Sequence, residues 1–144
     1  MGKTMNWQER SATSHYQTAL AIQHELQAGH VDEANIGMQE LIDALARSER
    51  RALRSQLIRL MVHVIKWLSQ PEHRSRSWAA TIRSARAEIK DIQEETPSLT
   101  DEVVKRMWDT CFELAKEQAE GEMNQETAVA GLSWEEVFDA KYRA

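Results

Sequence analysis

The stretch A-L-R-S-Q-L-I-R-L-M-V-H-V-I-K-W-L-S-Q-P, Ala52 to Pro71, decides the fold. Leu57, Leu60, Met61, Val64 and Leu68 all lie at sums of three and four from Leu53, the interval that stacks side chains along one face of an α-helix. Arg59 and Lys66 fall outside that stripe. Upstream, Ile42 and Leu45 keep the same spacing, Asp32 offers a helix cap, and nothing breaks the pattern before Gln70-Pro71. The spacing therefore predicts one helix of well over thirty residues, against a usual mean of about 11–12. A bend is expected near Ala46 to Ser48.

Working outward, a first helix is expected from about Ser11 to Ala28, marked by Tyr16, Leu20, Ile22 and Leu26. Gly29 stands where a left-handed C-cap is wanted. After Pro71, Ser75 or Ser77 caps a third helix that buries Trp78, Ile82, Ala85, Ile89 and Ile92. It ends before Thr96-Pro97, because the residue preceding a proline resists the helical region. Ser98 with Asp101 reads as a capping box for a fourth helix ending at Gly121, with the stripe Val104, Met107, Trp108, Cys111, Leu114 and Ala115. A loop with Asn124 and Gly131 leads to a second capping box, Ser133 with Glu136, and a short helix carrying Trp134, Val137 and Phe138. No segment alternates with a period of two. The chain reads as all-α: a bundle of four main helices plus a short C-terminal helix.

At 144 residues, 42% of them apolar, the chain fits a single domain spanning 1–144, with 1–10 flexible. Its one cysteine, Cys111, excludes an internal disulfide and suits a reducing compartment. Neither a signal peptide nor a membrane span is present in the pattern, and cytoplasmic is the expected location. A second reading of Leu57 to Leu68 as an interfacial membrane helix is weaker than a core helix with Arg59 and Lys66 outside. Cys111 falls on the buried stripe, where a thiol behaves as a small hydrophobe.

The net charge of −5 hides an asymmetry. Arg47 to Lys90 holds eleven bases and three acids, a sum of +8. The segment before it sums to −4 and the segment after it to −9. Arg47, Arg50, Arg51 and Arg54 share one helical face at i, i+3, i+4 and i+7, and Arg74, Arg76, Arg83 and Arg86 continue the charge. This is a candidate binding patch for nucleic acid or another anion, with salt-sensitive affinity. Yet no helix-turn-helix, zinc-finger or RNP pattern accompanies it. The favoured expectation is internal matching, with Asp101, Asp109, Glu113 and Glu117 facing the basic helices.

The segments R-S-E-R-R-A-L-R-S-Q-L, Arg47 to Leu57, and V-H-V-I-K-W-L-S-Q-P-E-H-R-S-R-S-W-A-A-T-I-R, Val62 to Arg83, closely resemble the central signature of a bacterial family abundant in cyanobacteria, domain of unknown function twenty-nine. His63, Lys66, Trp67, Gln70, Pro71, Arg74, Ser75, Ser77, Trp78 and Ile82 fall in register together. Weaker similarity includes Pro97 to Leu99 and the W-E-E-V-F-D run near the end. The start departs: Ser14-His15-Tyr16 stands where Asp-Phe-Tyr is expected, and only Glu40 and Asp43 remain of an acid-rich motif. The resemblance implies a small helical protein and no established activity.

His63, Trp67, Pro71 and Trp78 form a candidate structural corner, with Trp78 expected to be buried and His63 to donate a ring N–H to a polar neighbour. Glu40, Asp43 and His63 are the one set with acid–base or metal-binding character. A straight helix would hold Glu40 and His63 about 34 Å apart. No Glu-x-x-His pair, H-E-x-x-H, C-x-x-C, P-loop or G-x-G-x-x-G is present. No catalytic residue, metal ligand or cofactor is assigned, and the reading leans against an enzyme. A non-enzymatic module that binds protein, itself or another chain, is the leading expectation. An anion or nucleic-acid binder through Arg47–Lys90 is second, and an acid/histidine enzyme third.

Overall fold

The computed structural model describes residues 6–144, and every described element of regular structure is helical. Its contacts fall into two compact units, Met1–Arg50 and Arg51–Ala144. Of the ten residues expected to be flexible, 1–5 lie outside the described residues. The remainder enter a capped helix.

In the N-terminal unit, α1 (Trp7–Thr13) starts because the Asn6 side chain accepts from the Glu9 amide at 3.0 Å and donates to the Glu9 carboxylate at 3.1 Å. Ser14 then turns extended, at φ −157°, and its hydroxyl caps α2 (His15–Gln27) through the Gln17 amide. The single first helix expected over this region is thus two. Ser14, in the polar run before Tyr16, both ends one and begins the other. The unit's core comes down to Trp7, Ile22, Ala34 and Leu41, with Ala21 at its edge. Trp7 is held by its indole N–H, which donates to Glu33 at 2.7 Å. Its ring lies so close to Gly37 that a Cβ there would come within 2.8 Å of it. Gly29 has the left-handed φ of 84° expected of a C-cap. Tyr16, Leu20 and Leu26, expected to face the core, are exposed; Thr18 and Ile22, one turn apart, are buried instead.

Helix α3 (Val31–Ser69) runs from the first unit into the second. Its helical assignment is continuous through Ala46 to Ser48, where neither Gly nor Pro removes a hydrogen bond. It begins at Val31, so Asp32 lies in its first turn and is not the cap. Within the C-terminal unit, Leu53, Leu57, Leu60, Met61, Val62, Val64 and Ile65 are all fully buried. A helix apolar on nearly every side belongs at the centre of its unit, and this burial removes the interfacial-membrane reading of Leu57 to Leu68. No helix among the described residues is long and apolar enough to cross a membrane.

Around that central segment, Pro71–His73 forms a 3-10 turn, and Ser75 caps α4 (Arg76–Glu95) through the Trp78 amide at 3.2 Å. Ala79, Ile82, Ala85 and Ile89 form its buried stripe. Thr100, rather than Ser98, caps α5 (Asp101–Arg106), its hydroxyl accepting from the Val103 amide. Met107, with ψ near 0°, separates α5 from α6 (Trp108–Met123). Gly121 stays inside α6, which ends at Asn124 in the left-handed conformation, φ 53°. On α6 the buried positions are Cys111, Phe112, Ala115 and Ala119, while Leu114, expected in the stripe, is exposed. The Ser133–Glu136 box closes reciprocally, at 2.9 Å and 3.1 Å, and the turn it opens, Glu135–Asp139, is a π-type turn.

Candidate functional site

The basic residues occupy open positions. In the N-terminal unit, Arg47 and Arg50 are exposed; in the C-terminal unit, so are Arg51, Arg54, Arg74, Arg76 and Arg83, with Arg86 half-buried. Of the expected internal matching between the basic segment and the acidic one after it, Lys66–Glu122 is the single pair found among the described residues, and the arginines take no part. Among the described residues the ion pairs are His30–Glu25, Lys66–Glu122, His73–Glu72 and Lys105–Glu102, and no arginine joins a carboxylate. Asp101, expected to face a guanidinium, instead accepts from Gln93 at 3.0 Å. Opposite charge sums on neighbouring helices do not fix side-chain contacts, because exposed pairs contribute only about 0–1 kcal/mol and do not dictate geometry.

Two arginines are used on the backbone. Arg74 donates from Nε to the Trp67 carbonyl at 2.9 Å and lies 5.0 Å from the Trp67 ring centroid, so charge and aromatic face lock the chain after Pro71. Arg86 donates from Nε to the Val137 carbonyl at 2.8 Å and rests 5.6 Å from the Tyr142 centroid. Burial lowers its guanidinium pKa from the usual value, with Tyr142 and Asp139 acting the other way.

Trp67 is buried, and Tyr142 meets it edge-on at 5.5 Å. Trp78, expected to be buried, is only half-buried, with the Lys66 ammonium 5.7 Å from its ring. The His63 ring Nδ1–H donates to the Arg59 carbonyl at 2.9 Å. Burial lowers the His63 pKa, helped by the charges of Lys66 and Arg59 and opposed by that hydrogen bond and by Glu122. Glu40 and Asp43 belong to the N-terminal unit and His63 to the C-terminal one. Asp43 accepts from Gln39 at 3.0 Å. Among the described residues, no group of three or more His, Cys, Asp or Glu is placed to hold a metal ion. Cys111 is a buried free thiol whose pKa is raised by that burial, the opposite of what a nucleophile requires.

What spacing did not reveal is an apolar surface. Of the ten large apolar side chains exposed among the described residues, eight lie between Tyr16 and Leu45. Four of these, Val31, Met38, Ile42 and Leu45, follow at steps of seven, four and three along α3, so they share one face. Each is 42–53% exposed. The stripe runs beside the buried one, Ala34, Gly37, Leu41 and Ala44, making one broad apolar band of which half is covered. Ile42 and Leu45 were legible as apolar marks of the helix, but periodicity alone does not say whether the chain itself supplies the cover. At 100° per residue, Asp32, Gln39 and Asp43 fall along the band's open edge.

A family model described as "Domain of unknown function DUF29" matches residues 9–142. No curated protein and no solved structure matches the chain.

Proposed function

The chain belongs to the DUF29 family, and we propose that it works as a non-enzymatic protein-interaction module whose N-terminal unit receives a partner helix on the stripe Val31, Met38, Ile42 and Leu45. The observation that carries this reading is the concentration of exposed large apolar residues in one unit, four of them aligned on one helix face. Covering these half-exposed side chains gains on the order of 1 kcal/mol each. Asp32 and Asp43 beside the stripe favour a partner helix with lysines or arginines next to its own apolar face. Titration of a synthetic amphipathic helix with leucines on one face and flanking lysines, followed by fluorescence anisotropy, tests it. Saturable binding weakened about tenfold by a paired I42E and L45E change, roughly 1.4 kcal/mol, supports the reading. Equal binding of a scrambled peptide, or no response to the substitutions, contradicts it.

A second reading is favoured by the lack of ion pairs on Arg51, Arg54, Arg76 and Arg83: the C-terminal unit presents unneutralised guanidiniums to an anionic polymer. Filter binding of duplex DNA at two salt concentrations tests it, since each phosphate contact lowers affinity as salt rises. Binding that does not change with salt would eliminate it.

A further inference from the structure

We propose that the cavity between α4 and the C-terminal tail binds a small organic anion, a phosphate or carboxylate carried on an apolar body. The cavity is about 250 Å³, and four cationic residues line it: Arg83, Arg86, Lys141 and Arg143. Among the described residues no acidic one does. Its apolar wall comes from Ala79, Ile82 and the ring of Tyr142. This reading is independent of the apolar stripe on the N-terminal unit.

The site is assembled by local rules. Arg83 and Arg86 stand at i and i+3, so they leave α4 on one face, next to the buried stripe residues Ala79 and Ile82. Tyr142 anchors the tail. Its hydroxyl donates to the Glu136 carbonyl at 2.6 Å, its ring meets Trp67 edge-on, and the Arg86 guanidinium lies over its face. With Tyr142 anchored in this way, its neighbours Lys141 and Arg143 reach the same cavity from the tail. Arg86 spends Nε on the Val137 carbonyl at 2.8 Å and has Nη2 3.5 Å from the Glu136 carbonyl, and Nη1 has no hydrogen-bond partner among the described residues.

Among the described residues none of the four cations pairs with a carboxylate. Asp139 acts on the charge of Arg86 from outside the cavity lining, and Arg83, Lys141 and Arg143 are exposed at its rim. A guanidinium with open donors binds carboxylate or phosphate by charge-assisted hydrogen bonds. Ligand pockets usually pair an apolar wall with a few convergent polar groups and measure roughly 300–1,000 Å³. A cavity slightly below that range takes a ligand of one ring or a short chain, with the charge at the cationic rim.

Isothermal titration of the full chain with phenyl phosphate, benzoate, inorganic phosphate and benzyl alcohol tests the site. One-site, saturable binding of either aromatic anion is expected, and a preference between the two names the headgroup. Inorganic phosphate should bind about tenfold more weakly, and benzyl alcohol should give no heat of binding. Arg83→Gln and Arg143→Gln, both exposed and outside the bonds that hold the tail, should each weaken the aromatic anion about tenfold, the scale of one charge-assisted hydrogen bond. Arg51→Gln, outside the cavity lining, should leave it unchanged. Failure of both aromatic anions to saturate, equal binding of benzyl alcohol, or equal losses from Arg51→Gln and Arg83→Gln overturns the proposal. Full displacement of phenyl phosphate by a duplex oligonucleotide also overturns it, in favour of an open nucleic-acid surface.

Discussion

The two units of this chain bury apolar surface to very different degrees. The C-terminal unit wraps α4, α5, α6 and the tail around a segment of α3 whose residues from Leu57 to Trp67 are mostly inaccessible. Among its described residues the N-terminal unit encloses little more than Trp7, Ile22, Ala34 and Leu41 and leaves Tyr16, Leu20, Val31, Ile36, Met38 and Ile42 exposed. The same helix supplies both, so the difference does not lie in helix propensity. It lies in what each half of the helix is given to pack against. A unit with an undersized core and a wide apolar face has the physical profile of a part that is completed by something else.

The largest effect that would sharpen this contrast is a core truncation. Leu57→Ala, at a fully buried site, should cost about 3–5 kcal/mol, while Leu41→Ala, at the edge of a thin core, should cost about 2 kcal/mol or less. Urea midpoints of the two variants check this, and equal losses would break the comparison. Next is Gly37→Ala. Alanine normally gains about 1 kcal/mol over glycine inside a helix, but here its Cβ would meet the Trp7 ring at 2.8 Å. A net loss of about 1–2 kcal/mol is expected from overpacking, and a gain in stability would show that Trp7 is not held where it is described. Ile42→Glu should change stability by less than about 0.5 kcal/mol, because the site is already open; a large loss would place it in a core.

The smallest effect concerns pH and belongs to the C-terminal unit alone. Burial lowers the His63 pKa in the folded state below the unfolded value of about 6.5. Above that value the histidine is neutral in both states and stability is at its full level. As pH falls below it, the unfolded chain takes up the proton first and stability declines, until pH passes the folded pKa. His63→Gln should flatten the stability profile between pH 7 and pH 5, and an unchanged slope would contradict this account.

Much of the framework was legible in the residues. Gly29, the run to Pro71, the stripe Ile82, Ala85 and Ile89, and the Ser133–Glu136 box each carry a local signal that tertiary contacts do not override. Asn6 with Glu9 and Ser14 with Gln17 carry the same kind of signal, which would have revealed α1 and the break before α2. The fate of Val31, Met38, Ile42 and Leu45 was not legible, since a periodic stripe says that a face is apolar and not what covers it. Nor was the pairing of the arginines, because charge sums are blind to geometry at the scale of one hydrogen bond. The anchoring of Tyr142 depends on the Glu136 carbonyl, and that of Arg86 on the Val137 carbonyl, and no sequence pattern marks either. Of the candidate site, the cations Arg83 and Arg86 could be named in advance, but their convergence with Lys141 and Arg143 could not.

The packing closes the C-terminal unit around a large core and leaves the N-terminal unit with a small core and an exposed apolar face among its described residues. Native-state hydrogen exchange on the isolated full chain tests this contrast most directly, because it reads opening free energies residue by residue. Amides of Leu57 to Ile65 and of Ile82 to Ile89 should exchange only through global unfolding. Amides of α2 and of Ile36 to Leu45 should exchange at least about a hundredfold faster, a gap of roughly 2.7 kcal/mol. Uniform protection across both units would contradict it.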